Sequence, residues 1–152
     1  MRAIIQKVTS ASVKVDNELI SEIKDGYMIL LAVKETDTDG DLEYIQRKIT
    51  NLRIFEDENG KMNLSLKDTG GEILLVSQFT LYGDARKGNR PSFTMSAGLE
   101  KANDYYERLE DGLIAEGFKV STGVFQAHME VALVNDGPVT IILDSERIFW
   151  CK

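Results

Sequence analysis

The sequence predicts a single α+β domain over residues 1–152, with mainly antiparallel β-sheets and two packed helices. Runs with strand character greatly outnumber runs with helical periodicity. The connections between these runs are short, which favours antiparallel pairing over the alternating strand and helix order of a doubly wound sheet. The length suits one domain with a sizeable core, and no linker, internal repeat or low-complexity segment divides it.

The first part of the chain predicts four strands, over 2–8, 12–15, 19–23 and 27–33. The last of these runs is nearly all apolar, which places it in the middle of a sheet with both faces covered. A helix over 39–51 follows, because apolar side chains recur at helical spacing and acidic residues occupy its start. That apolar stripe consists of Leu42, Ile45, Ile49 and Leu52.

Strand character returns at 53–56, and Asn59-Gly60 signals a tight turn into 61–66. A second helix is predicted from an apolar stripe between Ala102 and Ile114, with Gly117 placed to end it in a left-handed conformation. Three strands, over 118–125, 129–134 and 139–144, complete the prediction.

The run from Glu72 to Tyr82 is the most informative, because it begins as a buried strand and then carries the polar residues Ser77, Gln78 and Thr80. An ordinary core strand that ends in solvent explains these residues, and so does a functional site. Read as a strand, the run puts its residues on two faces. One face holds Leu75, Ser77, Phe79 and Leu81, and the other holds Val76, Gln78, Thr80 and Tyr82.

Composition excludes several function classes. His128 is the only histidine and is expected to be a plain surface residue, so a Ser-His-Asp mechanism has no support. Cys151 is the only cysteine, which excludes an internal disulfide, and the scattered acidic residues predict no metal site. No signal peptide or membrane span is visible, so we expect a cytoplasmic protein. The formal charge of −7 opposes general binding of a polyanion.

A second informative run extends from Val131 to Leu143, where two strand-like segments flank a short polar turn. A β-hairpin is the simplest interpretation. The turn also holds Pro138, one of only two prolines, and an X-Pro bond adopts the cis form at modest cost. A cis bond would turn backbone carbonyl groups in an unusual direction, so this segment is also a candidate for ligand binding.

These two runs resemble the signature motifs of the D-aminoacyl-tRNA deacylases. The motifs are Ser77-Gln78-Phe79-Thr80-Leu81 and Asn135-Asp136-Gly137-Pro138-Val139-Thr140. The resemblance covers essentially the whole chain, through 1–2, Gln6, 51–55, 60–63, 88–93 and 122–125. Two separated motifs in the same order make the likeness specific.

The resemblance implies a β-barrel-like homodimer that hydrolyses the ester between a D-amino acid and the terminal ribose of tRNA, with glycine as a further substrate. It implies no metal and no cofactor. Gly137 and Pro138 would form a cis pair that enters the partner's active site, where their carbonyl groups bind the amino group and exclude L-amino acids. The residues implied in catalysis are Ser77, Gln78, Phe79 and Thr80, and those implied in substrate binding are Gly137, Pro138, Asn135, Phe125 and Met129.

An activated ester needs less assistance than an amide, and the chain offers no competent general base. We expect backbone N–H groups around Gln78, Phe79 and Thr80 to hold the oxyanion, with a substrate ribose hydroxyl positioning the water. Three alternatives remain open: Thr80 as a nucleophile, a general esterase that uses Thr80, and a catalytically silent dimer that binds an aminoacyl or peptide ligand.

Contact with tRNA is expected to be confined to the acceptor end, through Arg86, Lys87 and Arg90 in the densest basic loop. Three positions differ from the family pattern. Gln126 stands where glycine is usual, His128 where aspartate is usual, and Lys7 where arginine is common. Lysine lacks the planar fork of donors of arginine, which weakens the expectation that this side chain braces the Gly-Pro segment.

Overall fold

The computed structural model describes residues 1–148, so Cys151 lies outside the described part of the chain. In chain order the elements are β1 (Arg2–Val15), β2 (Glu18–Ile23), β3 (Gly26–Ala32), α1 (Asp39–Asn51), β4 (Phe55–Glu56), β5 (Met62–Leu64), α2 (Leu66–Thr69), β6 (Glu72–Ser77), a 3-10 turn (Phe79–Tyr82), α3 (Leu99–Ala115), β7 (Val120–Thr122) and β8 (Glu130–Asp144). No helix within residues 1–148 has the length and apolar character needed to cross a membrane.

The long strand β1 organises a six-stranded sheet. Its first half pairs with β3, its second half pairs with β2, and β8 runs along its other edge, all antiparallel. Among the strands of residues 1–148, β6 alone pairs in parallel, with β3 on one side and β7 on the other. The Ser21 hydroxyl donates to the Thr122 carbonyl at 2.8 Å, which joins β2 to β7 and curls the sheet into a nearly closed barrel. The mainly antiparallel α+β prediction is confirmed.

The sheet is buried on both faces. Ile73 and Leu75 of β6 belong to the larger core, which the helices cover. Leu74 and Val76 point the other way into a smaller core inside the curled sheet, with Met28 of β3. The continuous apolar runs of β3 and β6 are explained by this double burial, as the sequence predicted.

Three sequence predictions need correction. The strands expected at 2–8 and 12–15 form one bent strand, because different partners pair with its two halves. The hairpin expected at 131–143 is one strand, β8, whose two segments both pair with β1 around an irregularity. A third helix, α2, was not predicted because it is too short to show periodicity; its signal is the capping box between Ser65 and Asp68.

The two predicted helices are confirmed. α1 begins after Thr38, whose backbone N–H donates to the Asp41 carboxylate at 2.8 Å in a capping box. α3 is followed by Gly117 at φ 94°, a conformation that glycine adopts without a steric penalty. Both helices bury an apolar stripe in the larger core.

A buried ion pair fixes the start of β1. The α-ammonium group of Met1 lies 2.5 Å from the Asp37 carboxylate, and both side chains are almost completely buried. Asp37 also accepts the Lys34 backbone N–H at 2.6 Å, while the ammonium donates to the Ser145 hydroxyl. This cluster joins β1 to the segment before α1 and to the residue that follows β8.

Replacing Asp37 by alanine should lower the free energy of unfolding by about 3–5 kcal/mol, because it leaves a buried ammonium group without its counter-charge. Denaturant unfolding measures this change. Asp111→Ala is the control, since Asp111 is an exposed residue of α3 and should change stability by less than about 0.5 kcal/mol. Equal effects of the two substitutions would contradict this assignment.

Candidate active site

The polar end of the central strand forms a turn. β6 ends at Ser77, and Gln78 leaves the strand conformation with φ −144° and ψ 76°. The Gln78 N–H donates to the Leu31 carbonyl at 2.7 Å, which is the last hydrogen bond in the direction of β3. The prediction of a strand through Tyr82, with two alternating faces, is therefore wrong beyond Ser77. The physical reason is that β3 ends at Ala32 and offers no further partner.

Two side chains hold the 3-10 turn in place. Arg2 donates to the Leu81 carbonyl at 2.7 Å and to the Asp144 carboxylate at 2.9 Å, and its guanidinium lies 4.6 Å from the centre of the Tyr82 ring. On the other side, the Ser96 hydroxyl donates to the Phe79 carbonyl at 3.1 Å. Burial raises the pKa of the Tyr82 hydroxyl above its usual range. The turn is thereby fixed to the end of the β1–β8 pair where Arg2 lies opposite Asp144, and to the segment before α3.

Two backbone donors stay free at the start of this turn. Within residues 1–148, the N–H groups of Phe79 and Thr80 have no hydrogen-bond acceptor. The first N–H groups of any helical turn lack partners inside it, and the Gln78 side chain does not cap them because it donates to the Thr80 hydroxyl. The Gln78 N–H is engaged by Leu31, so it is not available as the third donor that the sequence suggested.

A pocket of about 610 Å³ lies beside this turn. It is bounded by the end of β6, the start of α3 and the segment between β7 and β8. The lining residues are Val76, Ser77, Gln78, Phe79, Phe93, Ser96, Ala97, Gly98, Leu99, Ala102, Phe125, Gln126, Ala127, His128, Met129 and Val131. The pocket therefore brings together five of the predicted site residues: Ser77, Gln78, Phe79, Phe125 and Met129.

α3 supports two walls of the pocket. The Tyr106 hydroxyl donates to the Leu75 carbonyl at 2.7 Å, and the Tyr106 ring lies 5.9 Å from the Phe125 ring. Gly123 allows a close approach, since a Cβ atom there would lie 2.5 Å from the Met129 sulphur. One helix residue thus positions β6 and the Phe125 segment relative to each other.

The chain between β7 and β8 turns sharply at the pocket. The Ala127 N–H donates to the Val124 carbonyl at 3.1 Å, and Gln126 has φ 66°. Glycine takes this left-handed conformation freely, whereas another residue pays about 1–2 kcal/mol for it. His128 is exposed, as expected of a surface residue, but it also lines the pocket, and within residues 1–148 it is the one ionisable side chain there.

Sequence reasoning did not identify several pocket residues. Phe93 packs edge-to-face against Phe79, with ring centres 5.2 Å apart, and belongs to the segment that follows the basic loop. Gly98, Leu99 and Ala102 enter the pocket at the start of α3. No local pattern marks these residues, because their position depends on where α3 meets β6.

Gly137 and Pro138 lie elsewhere on the surface. Both are exposed, neither lines the pocket of its own chain, and the bond between them is cis. Asn135 holds the segment by accepting the Val139 N–H at 3.0 Å and donating to the Thr140 hydroxyl at 3.0 Å. Asn135 therefore stabilises the Gly-Pro segment, and it does not line the pocket of its own chain.

Lys7 supports the same segment. Its ammonium group lies 2.9 Å from the Asp136 carboxylate, next to Gly137, and 5.6 Å from the Phe55 ring centre. Lysine therefore retains a point-charge contact to the Gly-Pro segment, although it cannot form the two-pronged contact of an arginine.

The basic loop precedes Phe93 in the chain. Asp84 and Ser92 close it through two backbone hydrogen bonds of 2.8 and 2.9 Å. Arg86 donates to both oxygens of the Asp84 carboxylate, at 2.9 and 2.7 Å, and this contact lowers the pKa of Asp84 to about 2. Lys87 and Arg90 are exposed. Of the three predicted tRNA-binding cations, Arg86 is thus already paired with a carboxylate in the free protein.

Apart from His128, the described residues that line the pocket carry no ionisable side chain. Phe79, whose N–H has no acceptor within residues 1–148, lines one wall, and apolar side chains such as Met129 and Val131 form another. Thr80, which carries the second such donor, follows Phe79 in the turn but does not itself line the pocket. In the described residues 1–148 no cluster of three or more His, Cys, Asp or Glu side chains is placed to hold a metal ion. The arrangement is suited to stabilising a developing negative charge through N–H groups.

Comparisons with known proteins identify relatives over nearly the whole chain. The family model for D-Tyr-tRNA(Tyr) deacylase matches residues 4–144. A D-aminoacyl-tRNA deacylase of Kosmotoga olearia is 57% identical over 149 residues, covering 98% of this chain and 100% of the relative. A D-aminoacyl-tRNA deacylase of Thermotoga petrophila is 54% identical, with the same coverage of both chains.

Two solved structures have the same fold. One, described as a c-Myc DNA unwinding element binding protein, aligns with a TM-score of 0.88 at 44% identity, covering 95% of this chain and 98% of the other. A probable eukaryotic D-amino acid tRNA deacylase aligns with a TM-score of 0.81 at 18% identity, covering 93% and 97% of the two chains. At that lower identity the likeness concerns the fold alone.

Asn135→Ala should loosen the Gly-Pro segment without unfolding the sheet. Hydrogen exchange of the Val139 amide should accelerate about fivefold, since one net hydrogen bond contributes about 1 kcal/mol. Asn103→Ala is the control, because within residues 1–148 the Asn103 side chain hydrogen-bonds only to Glu107 of the same helix and should leave Val139 exchange unchanged. Unchanged exchange in Asn135→Ala would show that the side chain does not hold the segment.

Proposed function

Because the chain belongs to the D-Tyr-tRNA(Tyr) deacylase family, we propose that its pocket hydrolyses the ester of D-aminoacyl-tRNA with groups supplied mainly by the backbone. The chain is a hydrolase acting on aminoacyl-tRNA, as its curated relatives are. The observation that carries the mechanism is a pair of N–H groups without acceptors within residues 1–148: that of Phe79, which lines the pocket, and that of Thr80, the next residue of the same turn.

The N–H groups of Phe79 and Thr80 hold the oxyanion that forms when water attacks the ester carbonyl. They are fixed before the reaction by the Arg2 and Ser96 contacts, so little reorganisation accompanies the appearance of charge. A donor of this kind contributes roughly 3 to 4 kcal/mol to the transition state. A ribose hydroxyl of the substrate positions the attacking water. Within residues 1–148 no carboxylate or lysine lines the pocket, and the exposed His128 makes no hydrogen bond that would orient it as a base.

The side chains of the Ser-Gln-Phe-Thr segment support this backbone role. Gln78 donates to the Thr80 hydroxyl, so the two polar side chains engage each other. In the described residues 1–148 the hydrogen-bond partner of the Thr80 hydroxyl is the Gln78 amide, which is a donor and not a base that could activate Thr80 as a nucleophile. This favours attack by water over an acyl-enzyme on Thr80.

The site is completed by a second copy of the chain. Within residues 1–148, β8 pairs only with β1, so its other edge is open along fifteen residues. Val134 and Ile142 on this strand are 56% and 43% exposed, and an apolar open edge of this length favours association. The exposed Gly137 and Pro138 on the same strand then reach the pocket of the partner in a homodimer.

Chirality is read by steric exclusion in this dimer. The carbonyl groups of Gly137 and Pro138 bind the amino group of the substrate and occupy the space that an L-side chain would need. Glycine has no side chain to reject, so glycyl-tRNA(Ala) is also a substrate. This discrimination is a proofreading activity in translation, and we expect it in the cytoplasm.

The chirality of the released amino acid tests the function. With matched tyrosyl-tRNAs, the D-ester should be hydrolysed at least about 100-fold faster than the L-ester, because the L-side chain meets a rigid wall. Single-turnover release of labelled tyrosine measures both rates. Equal rates would identify a general esterase, and no release of either amino acid would identify a silent binding protein.

The backbone donor is tested by two substitutions of Phe79. Both Phe79→Pro and Phe79→Ala remove the ring, but only proline removes the N–H, and proline is well tolerated as the first residue of a helical turn. Phe79→Pro should lower kcat about 100- to 1000-fold more than Phe79→Ala. Equal kcat values in the two folded variants would contradict the oxyanion role.

Thr80→Ala completes this comparison, and its kcat should stay within about tenfold of the wild type because the N–H is retained. Loss of turnover in a folded Thr80→Ala variant, together with an acyl adduct trapped on Thr80, would establish covalent catalysis instead.

Recognition of tRNA should depend on Lys87 and Arg90 more than on Arg86, whose charge is compensated by Asp84. Their joint replacement by alanine should reduce the slope of log Kd against log salt by up to about 1.4, at about 0.7 for each single-strand phosphate contact. Lys67→Ala on α2 is the control. An unchanged affinity in the triple variant that also lacks Arg86 would exclude this loop from tRNA binding.

A further inference from the structure

We propose that Gln126 is a specificity-determining residue whose side-chain amide binds the edge of the 3′-terminal base of tRNA. This inference rests on the proposed function, because it assumes that the pocket receives the aminoacylated end of tRNA. It concerns a different part of the substrate from the ester and the amino acid.

The backbone conformation at position 126 is unfavourable for glutamine. Its φ of 66° lies in the left-handed region, at a turn closed by the Ala127 N–H and the Val124 carbonyl. Within residues 1–148 the Gln126 side chain makes no hydrogen bond, and the residue is exposed. Glutamine therefore strains the turn without stabilising the fold, and strain of this kind persists where a side chain has another use.

The position of the side chain indicates that use. Gln126 lines the pocket together with Phe79 and Phe93, whose side chains are 54% and 36% exposed and meet edge-to-face. Exposed aromatic rings are stacking surfaces for a nucleic-acid base in a single strand. A base stacked on these rings would have its edge in the pocket that Gln126 also lines.

The amide of Gln126 has the chemistry for adenine, the terminal base of tRNA. A glutamine amide donates and accepts at once, which matches the adjacent donor and acceptor on an adenine edge. Two of the other polar side chains of the pocket are engaged: Gln78 donates to Thr80, and Ser96 donates to the Phe79 carbonyl. Ser77 and His128 also line the pocket. Gln126 is the pocket amide without an internal partner in the described chain.

The experiment combines a change in the protein with a change in the base. D-tyrosyl-tRNA is prepared with its normal terminal adenosine and with terminal purine riboside, which lacks the exocyclic amine. Wild-type protein, Gln126→Gly and Gln126→Ala are compared by steady-state kinetics and thermal unfolding. Asn17→Gly is the matched control, because Asn17 also has a positive φ of 64° but lies in the exposed turn between β1 and β2.

Both Gln126 variants should raise KM about three- to tenfold on the normal substrate, the effect of one or two hydrogen bonds, with kcat within about twofold. Gln126→Gly should unfold at the same temperature as the wild type or higher, because it relieves backbone strain. On the purine riboside substrate the KM of the wild type should rise. The KM of each Gln126 variant should change little between the two substrates. Asn17→Gly should leave KM unchanged.

The possible failures are distinct. If the wild type releases no D-tyrosine, the proposed function fails. If the wild type is active and the Gln126 variants keep its KM, the role of Gln126 is overturned. If the variants raise KM equally on both terminal nucleosides, the amide contacts some other group and the assignment to the base edge is overturned.

Discussion

The site depends on where β6 loses its partner. β3 ends at Ala32, so the hydrogen bond from the Gln78 N–H to the Leu31 carbonyl is the last one between the two elements. The next residues tighten into a 3-10 turn, and its first two N–H groups remain without acceptors in the described chain. If β6 continued as a strand, N–H groups at these positions would be available for hydrogen bonds to a neighbouring strand. The change from strand to turn therefore creates the group that can stabilise an oxyanion.

The surrounding contacts keep this turn from relaxing. Arg2 connects its Leu81 carbonyl to Asp144 at the end of β8, so the first and last strands both hold it. Asn135 and Lys7 hold the Gly-Pro segment, which does not line the pocket of its own chain. The two halves of the proposed site are thus built separately, each by local contacts. Association of two copies is what would bring them together.

Local patterns predicted the parts of the fold that are determined by local chemistry. The bounds of α1 follow from its periodicity and its Thr38 cap, and the burial of β6 follows from its uninterrupted apolar run. The end of β6 was not predictable, because alternation continues in the sequence while the partner strand stops. The hairpin expected around Gly-Pro was wrong for the same reason, because local sequence does not show which strand a segment pairs with. Both segments that flank Gly-Pro pair with β1, which is distant in the chain.

The site residues divide in the same way. The polar interruption at Ser77 and Gln78 was visible in the sequence, and the resemblance to a family added Phe125 and Met129, which the fold brings into the same pocket. Phe93 and the start of α3 were missed because they reach the pocket through tertiary packing alone. The departure at Gln126 was noted from the family pattern, but its meaning required the positive φ and the position at the pocket.

Complementation between two defective copies tests the shared site most directly. A copy with Phe79→Pro lacks a donor in its pocket, and a copy with Gly137→Val has a damaged Gly-Pro segment, since a Cβ at Gly137 would lie 2.7 Å from a Val139 methyl group. Each variant alone should be inactive on D-tyrosyl-tRNA. If the site is shared, a purified heterodimer should regain about half of the wild-type kcat, because one intact pocket meets one intact segment in a two-fold dimer. No recovery in a stable heterodimer would show that each chain completes its own site.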